Sequence, residues 1–372
     1  MKRRSLSTVV FRRVRMIRKR ISLAFGIIGF VCVAFFITVW ITKTCIPYNE
    51  KAEKIEKTLY SDDEDMDAVD VCFIGGSHGL NAFNPNTIWA KAGIHSYNYC
   101  YAGETIPLTT TYLSELYKKR SFDLVVVDIY YAGLADPYFG EKDYAFDVLC
   151  RMNCSDAKKE YIDKHVSEEY KKDYYFPLNR YHTRWYQLGD NDISRKPDLS
   201  DDFKLGQDYH YEVNNRKKVQ FPMWFDHGHS VPLKDDIEDE LRELIKLVKS
   251  HGSELLFVDL PRRYNDSLQP AKWIGDEYAA VNRVKEIASE YDVKVLQYDD
   301  EGLEKIGFDP EKHMYNKGHM NILGSEVFSK ALAGFIVDNY NVKRYEKRAE
   351  DPWEGYLSIY ETERAKNLRK ES

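Results

Sequence analysis

The stretch VCFIGGSHGLNAFNP, Val71 to Pro85, decides how this chain folds. Val71, Cys72, Phe73 and Ile74 make an apolar, β-prone run of strand length, and Gly75-Gly76 breaks it at once. Ser77 follows two residues that carry no side chain, so its hydroxyl stands uncrowded at a strand end. That setting suits an ordinary turn serine. It equally suits a nucleophile, whose neighbouring backbone N–H groups must approach a developing oxyanion. A second segment about 240 residues later tips the balance toward chemistry: Asn316-Lys317-Gly318-His319-Met320-Asn321, with Gly324 beyond it.

Working outward, strand and helix signals alternate. Val71–Ile74 is a first strand, and Asn84-Pro85 opens a helix that runs to Ala92. A second strand is expected at Ser96–Tyr101, then a helix at Ile106–Lys119. Leu124–Ile129 (LVVVDI), Leu255–Leu260 (LLFVDL) and Val293–Tyr298 supply three more strands. Between them, Ile237–Ser250 carries Leu241, Leu244, Ile245 and Val248 on one helical face. Ala279–Tyr291 and Gly324–Tyr340 are further helices. This alternation predicts an α/β domain over residues 68–342, with a parallel sheet in a three-layer α/β/α arrangement.

Residues 138–232 interrupt the rhythm with a long aromatic, charged insertion that includes Pro177–Asp192 and Val219–His229. An insertion at the carboxyl end of a strand is a lid or substrate-binding element, or else a surface lobe with its own core. Residues 343–372 form a highly charged tail with Trp353, Tyr356 and Tyr360 interspersed, expected as a peripheral helix or as partly disordered chain.

The amino terminus carries a separate signal. Residues 1–20 hold nine Lys or Arg and no acid, and Ile21–Thr42 is a 22-residue run without a charge. Such a run is long enough for a hydrocarbon core of about 30 Å. The positive-inside rule then keeps the basic tail in the cytoplasm and sends the rest outward. No small-x-small cleavage site follows, so an uncleaved transmembrane anchor in the cytoplasmic membrane is expected. Residues 43–67 read as a short helical stalk and an acidic linker around Ser61–Asp65.

The chain is −6 overall with +9 in its first twenty residues, which leaves −15 for the remainder. An acidic exterior lacks the basic footprint that nucleic acid requires. No Cys/His cluster has zinc spacing, so no metal and no cofactor is expected. Cys150 and Cys154 are spaced either for one helical turn or for a bridge.

Taken together, FIGGSH at the first strand, SYNYCYAGET at the second and NKGHMNILG before the last helix resemble the SGNH, or GDSL-type, hydrolase superfamily. The likeness runs from Asp70 to about Tyr340, without the insertion. Its layout is similar to membrane-anchored members that accompany envelope-polymer acylation. These include the D-alanine-transfer protein of teichoic acid synthesis and the alginate or peptidoglycan O-acetyltransferase proteins.

The resemblance implies a flavodoxin-like SGNH fold and specific roles. Ser77 matches the nucleophile. The oxyanion hole would take the backbone of Ser77 and of Gly103, in YAGET. His319 matches the general base, and Asn316 occupies the place of the aspartate that orients it. Replacing aspartate by asparagine in a serine triad costs about 10⁴ in turnover. A second departure lies after the third strand, where the family often supplies an oxyanion-hole asparagine and this chain has Ala132. One such donor is worth about 10²–10³ in rate. His182, Arg184 or Asn179 of the insertion are candidate replacements, and His182, Arg184 and Trp185 are candidate substrate-binding residues. Asp128, at the end of the third strand, is either a proton partner or a brace for neighbouring loops. His78 is expected to be structural or at the rim.

The resemblance implies an acyltransferase or esterase acting on O-acyl groups of a cell-envelope polysaccharide, with a membrane-bound O-acyltransferase as acyl source. The competing expectation is a degenerate SGNH-fold scaffold subunit of an envelope-modification complex.

Overall fold

The computed structural model describes residues 6–60, 62, 64–134, 141–194, 199–213, 228–262 and 277–371. These residues form two compact units, 1–48 with 168–196, and 49–167 with 197–372.

The second unit is built on five parallel strands in the order β2-β1-β3-β4-β5. They are β1 Val71–Ile74, β2 Ser96–Asn98, β3 Leu124–Asp128, β4 Glu254–Asp259 and β5 Lys294–Gln297. Every residue of β1 and β3 is buried, which is what parallel strands covered on both faces require. The period of two divides them between faces. Val71, Phe73, Leu124, Val126, Leu256 and Val258 share one core with Phe328, Leu332 and Ile336 of the helix Ile322–Asn339. Cys72, Ile74, Val125, Val127, Leu255 and Phe257 are equally buried on the alternate face. The helices Ile106–Leu116 and Asp235–Ser250 pack against each other, with Leu241, Leu244, Ile245 and Val248 all inside. The doubly covered parallel α/β fold expected from the strand–helix alternation is therefore the fold observed.

Local chemistry explains the boundaries. Asn84 accepts from the Thr87 N–H at 3.0 Å and Pro85 follows at the first helical position, so the helix starts there. β2 stops three residues before the expected Tyr101. The Asn98 carboxamide takes the Cys100 N–H at 3.0 Å and donates to the carbonyls of Gly79 and Phe83, while the Tyr99 and Tyr101 N–H groups still reach the Phe73 and Gly75 carbonyls at 2.7 and 2.9 Å.

Two further segments are packed into this unit. The presumed stalk contains a helix, Glu50–Tyr60, whose Ala52, Ile55 and Leu59 are buried and whose Thr58 hydroxyl meets the Tyr112 hydroxyl at 2.9 Å. The charged tail is likewise docked. Its helix Pro352–Glu371 buries Trp353, whose indole N–H reaches the Ser96 carbonyl at 3.2 Å. His95 is stacked between Tyr345 and Trp353, at 3.8 and 3.9 Å between ring centroids. Cys150 and Cys154 are free thiols and form no bridge.

The first unit joins the helix Leu6–Cys45 to short helices within 168–194. That helix is 40 residues long, about 60 Å at 1.5 Å per residue. Its stretch Arg13–Cys45 is long and apolar enough to cross a membrane. Of the insertion, the singled-out stretch 219–229 lies outside the described residues except for its last two.

Because Trp353 fills the space between the tail and β2, Trp353→Ala should cost about 3–5 kcal/mol. Urea unfolding of the full chain in mild detergent would register it as a lower midpoint at constant slope. An unchanged midpoint would contradict a docked tail.

Candidate active site

In a sheet ordered 2-1-3-4-5, the chain reverses direction of growth between β1 and β3, and the crevice at their carboxyl ends is where such folds bind ligands. Ser77 leaves β1 at that place, and Asp128 ends β3 beside it. Between strand and serine the backbone must fold sharply back over β3. Gly75 does so at φ 135°, with Asp128 so close that a side chain there would sit 2.8 Å from the Asp128 Cβ. No residue with a Cβ fits. Ser77 then begins the short helix Ser77–Ala82 and stays half-buried.

Asp128 holds this turn in position. Its buried carboxylate accepts the Gly79 N–H at 3.1 Å through Oδ2 and the Tyr130 N–H at 3.0 Å through Oδ1. Burial pushes its pKa up to about 6, against the pull of these two N–H groups and of Arg262. Of the two roles open to Asp128, the contacts are those of a brace: both oxygens are committed to backbone, and neither bonds His319.

The histidine arrives from the opposite end of the chain. Residues 313–321 form a tight turn closed by a Met314–Met320 bridge and by the Tyr315 N–H on the His319 carbonyl at 2.9 Å. Asn321 then caps the helix Ile322–Asn339 through the Gly324 N–H at 3.0 Å. Within the turn one oxygen does three things. Asn316 Oδ1 accepts the Gly318 N–H at 2.9 Å, the His319 N–H at 2.9 Å, and meets His319 Nδ1 at 3.0 Å.

The two backbone donors identify that atom as oxygen and not the amide nitrogen. An oxygen facing Nδ1 requires the proton on Nδ1, so Nε2 carries the lone pair. Nε2 lies 2.9 Å from Ser77 Oγ. The Ser77 hydroxyl therefore donates to a ring whose tautomer is set by a neutral amide.

The ring's surroundings fix its basicity. Burial, reinforced by nearby His210 and opposed by Asp208, pushes the His319 pKa down to about 4. Among the described residues no carboxylate hydrogen-bonds the ring to restore it. His78 lies stacked on His319 at 4.9 Å and tilted against Tyr130 at 3.8 Å between ring centroids. Its own burial holds it far below the usual histidine range, so at neutral pH it is an uncharged slab that limits the movement of the His319 ring.

Of the expected residues, Ser77, His319 and Asn316 are thus brought into one hydrogen-bonded relay. Gly103 has a left-handed backbone, φ 74°, and its backbone faces the Tyr131 hydroxyl. Among the described residues the Ser77 N–H has no acceptor. Ala132 is buried and offers no side-chain donor.

The insertion candidates Asn179, His182, Arg184 and Trp185 belong to the first unit. Arg184 donates to both oxygens of Asp192 at 2.9 Å and to the Cys45 carbonyl at 2.9 Å, so it clamps the end of the long N-terminal helix. His182 Nδ1 meets the Asn179 carbonyl at 2.7 Å, and Trp185 lies exposed, edge-on to Tyr186. Arg184, expected at a substrate, is engaged with Asp192 in a local ion pair. Tyr131 is the site neighbour that sequence reasoning did not pick out. Its only sequence signal is an aromatic pair directly after a buried strand.

No protein-family model and no curated protein matches this sequence. Among solved structures the chain is similar to a lipase/acylhydrolase from Enterococcus faecalis. The match has 10% identity over 75% of this chain and 100% of that one, with a TM-score of 0.34. A likeness that distant carries no argument, and the chemistry rests on the side chains themselves.

The relay has a spectroscopic signature. In histidine-labelled protein, NMR should find His319 neutral from pH 5 upward, titrating near 4. Asn316→Asp keeps the three acceptor contacts and adds a negative charge, which favours imidazolium and should move the titration up by about one to three pH units. A wild-type titration near 6.5, or no movement in the variant, would contradict this electrostatic picture.

Proposed function

We propose that the chain is an SGNH-type serine acyl-transfer enzyme, anchored by its N-terminal helix with the α/β unit outside the cytoplasmic membrane. The observation that carries the reading is the relay from Ser77 Oγ through His319 Nε2 and Nδ1 to Asn316 Oδ1. Few structural needs account for a half-exposed serine hydroxyl donating to a histidine whose tautomer is fixed from behind, whereas nucleophilic catalysis needs that arrangement.

The steps follow from the geometry. Ser77 Oγ bonds to an acyl carbonyl carbon as its proton passes to His319 Nε2, and the carbonyl electron pair moves onto oxygen. Collapse of that tetrahedral oxyanion expels the leaving alkoxide, which takes the proton from Nε2. An acceptor hydroxyl or water then gives its proton to Nε2 and attacks the Ser77 ester, and Ser77 leaves with the proton returned.

Asn316 orients the ring throughout but adds no charge to stabilise the imidazolium. His319 is consequently a weak base that is available at almost any pH, and turnover is modest compared with an aspartate triad. For the acceptor we propose a hydroxyl of a cell-envelope polysaccharide. A membrane-bound O-acyltransferase would supply the acyl group. The supports are the long apolar helix and the family resemblance. The neutral orienter and Ala132 are what favour the second reading, an inactive scaffold of the same fold.

Full-length protein in detergent should hydrolyse an aryl acetate with an initial burst that reflects the Ser77 ester. Ser77→Ala and His319→Ala should each lower kcat by about 10³ or more. Added polysaccharide should divert acetyl groups from water to sugar hydroxyls. Equal rates in wild type and both variants would leave the scaffold reading.

A further inference from the structure

We propose that the Tyr131 hydroxyl is an oxyanion-hole donor, standing in for the side-chain amide that Ala132 cannot provide. The proposal rests on the Ser77 reading above and adds to it a residue that the resemblance does not supply.

Three contacts place the phenol. Tyr131 lies on the turn Tyr130–Gly133, directly after β3, at the carboxyl end of the sheet where Ser77 also emerges. Its ring lies against the residue that precedes the nucleophile. A Cβ built on Gly76 would fall 2.5 Å from Tyr131 Cε2. Cε2 is bonded to the carbon that bears the hydroxyl, so the polar end of the ring meets the Ser77 turn. Gly76 is glycine because this ring occupies the space its side chain would need. At its other side the hydroxyl oxygen faces the Gly103 N–H.

The hydrogen-bonding inventory then assigns the proton. A phenol has one O–H to give and lone pairs to accept with. The Gly103 backbone faces the oxygen and can engage only a lone pair, so the O–H is free to point elsewhere. The Ser77 N–H, the other donor of an oxyanion hole here, also lacks an acceptor among the described residues. Burial, with Tyr130 and Asp128 nearby, raises the phenol above its ordinary range, so it remains protonated and able to donate at any physiological pH.

Gly103 thereby acts on the oxyanion through Tyr131. By donating to the phenol oxygen it polarises the O–H, and hydrogen bonds in such a chain strengthen one another. The hole is formed by the Ser77 N–H and the Tyr131 O–H, with the Gly103 N–H behind the phenol.

Tyr131→Phe removes the hydroxyl and keeps the ring that packs on Gly76. With full-length protein and an aryl acetate, kcat should fall by about 10²–10³ at nearly constant KM, with the melting temperature retained. Phosphonylation of Ser77 by a fluorophosphonate should slow in parallel. Difluorotyrosine at position 131, a more acidic phenol of the same shape, should raise kcat, which a packing role would not do. A folded Tyr131→Phe protein with kcat within threefold of wild type, or a fluorinated protein with unchanged kcat, overturns the proposal while Ser77 chemistry stands. A wild type inert to both reagents overturns the Ser77 reading and this proposal with it.

Discussion

The Asp128 carboxylate, set at the point where the sheet reverses its order of growth, is the contact on which the site depends. One oxygen holds the Gly79 N–H and thus the helix that starts at Ser77. The other holds the Tyr130 N–H and thus the turn that carries Tyr131. Without it the ends of β1 and β3 would leave two loops with unpaired backbone groups in a dry interior, each a cost of about 1–3 kcal/mol. Burying a charge there is itself unfavourable, which is why its pKa rises. The Gly75 backbone, folded back against Asp128, and Gly76, open to the Tyr131 ring, follow from the same close approach of two strand ends.

Around that brace the site relies on position more than charge. Asn316 fixes the His319 tautomer as an aspartate would, because two backbone N–H groups force its oxygen toward the ring. It does not supply the negative field that makes a buried imidazole a strong base, and His319 accordingly sits at about 4. Stacking on neutral His78 keeps the ring aligned without adding charge. If the proposed acyl transfer takes place here, a centre of this kind suits an activated ester better than a stable one, since activated substrates need less from the base.

Much of this was legible in the sequence, and the limits have physical causes. β1 and the residues of the relay are local patterns: four apolar residues before two glycines, and an asparagine three residues before a histidine. The Pro85–Ala92 helix announces itself through Asn84-Pro85. Where the sequence is silent, the deciding partner is distant or belongs to a pair that no local motif marks. Trp353 is buried because His95, 258 positions away in the chain, offers a flat ring to stack on. The Gly103 N–H meets a phenol from the turn after another strand, which no local motif encodes. Arg184 looked available for a ligand, although Asp192 eight residues on was a partner in plain view.

The central claim is that Ser77 is an activated nucleophile. The most direct measurement treats the full-length protein in detergent with a fluorophosphonate and locates the adduct by peptide mass spectrometry. A single stoichiometric adduct on Ser77 is expected, absent when His319 is replaced by alanine. A folded protein that carries no adduct on Ser77, or an adduct that persists without His319, would contradict it.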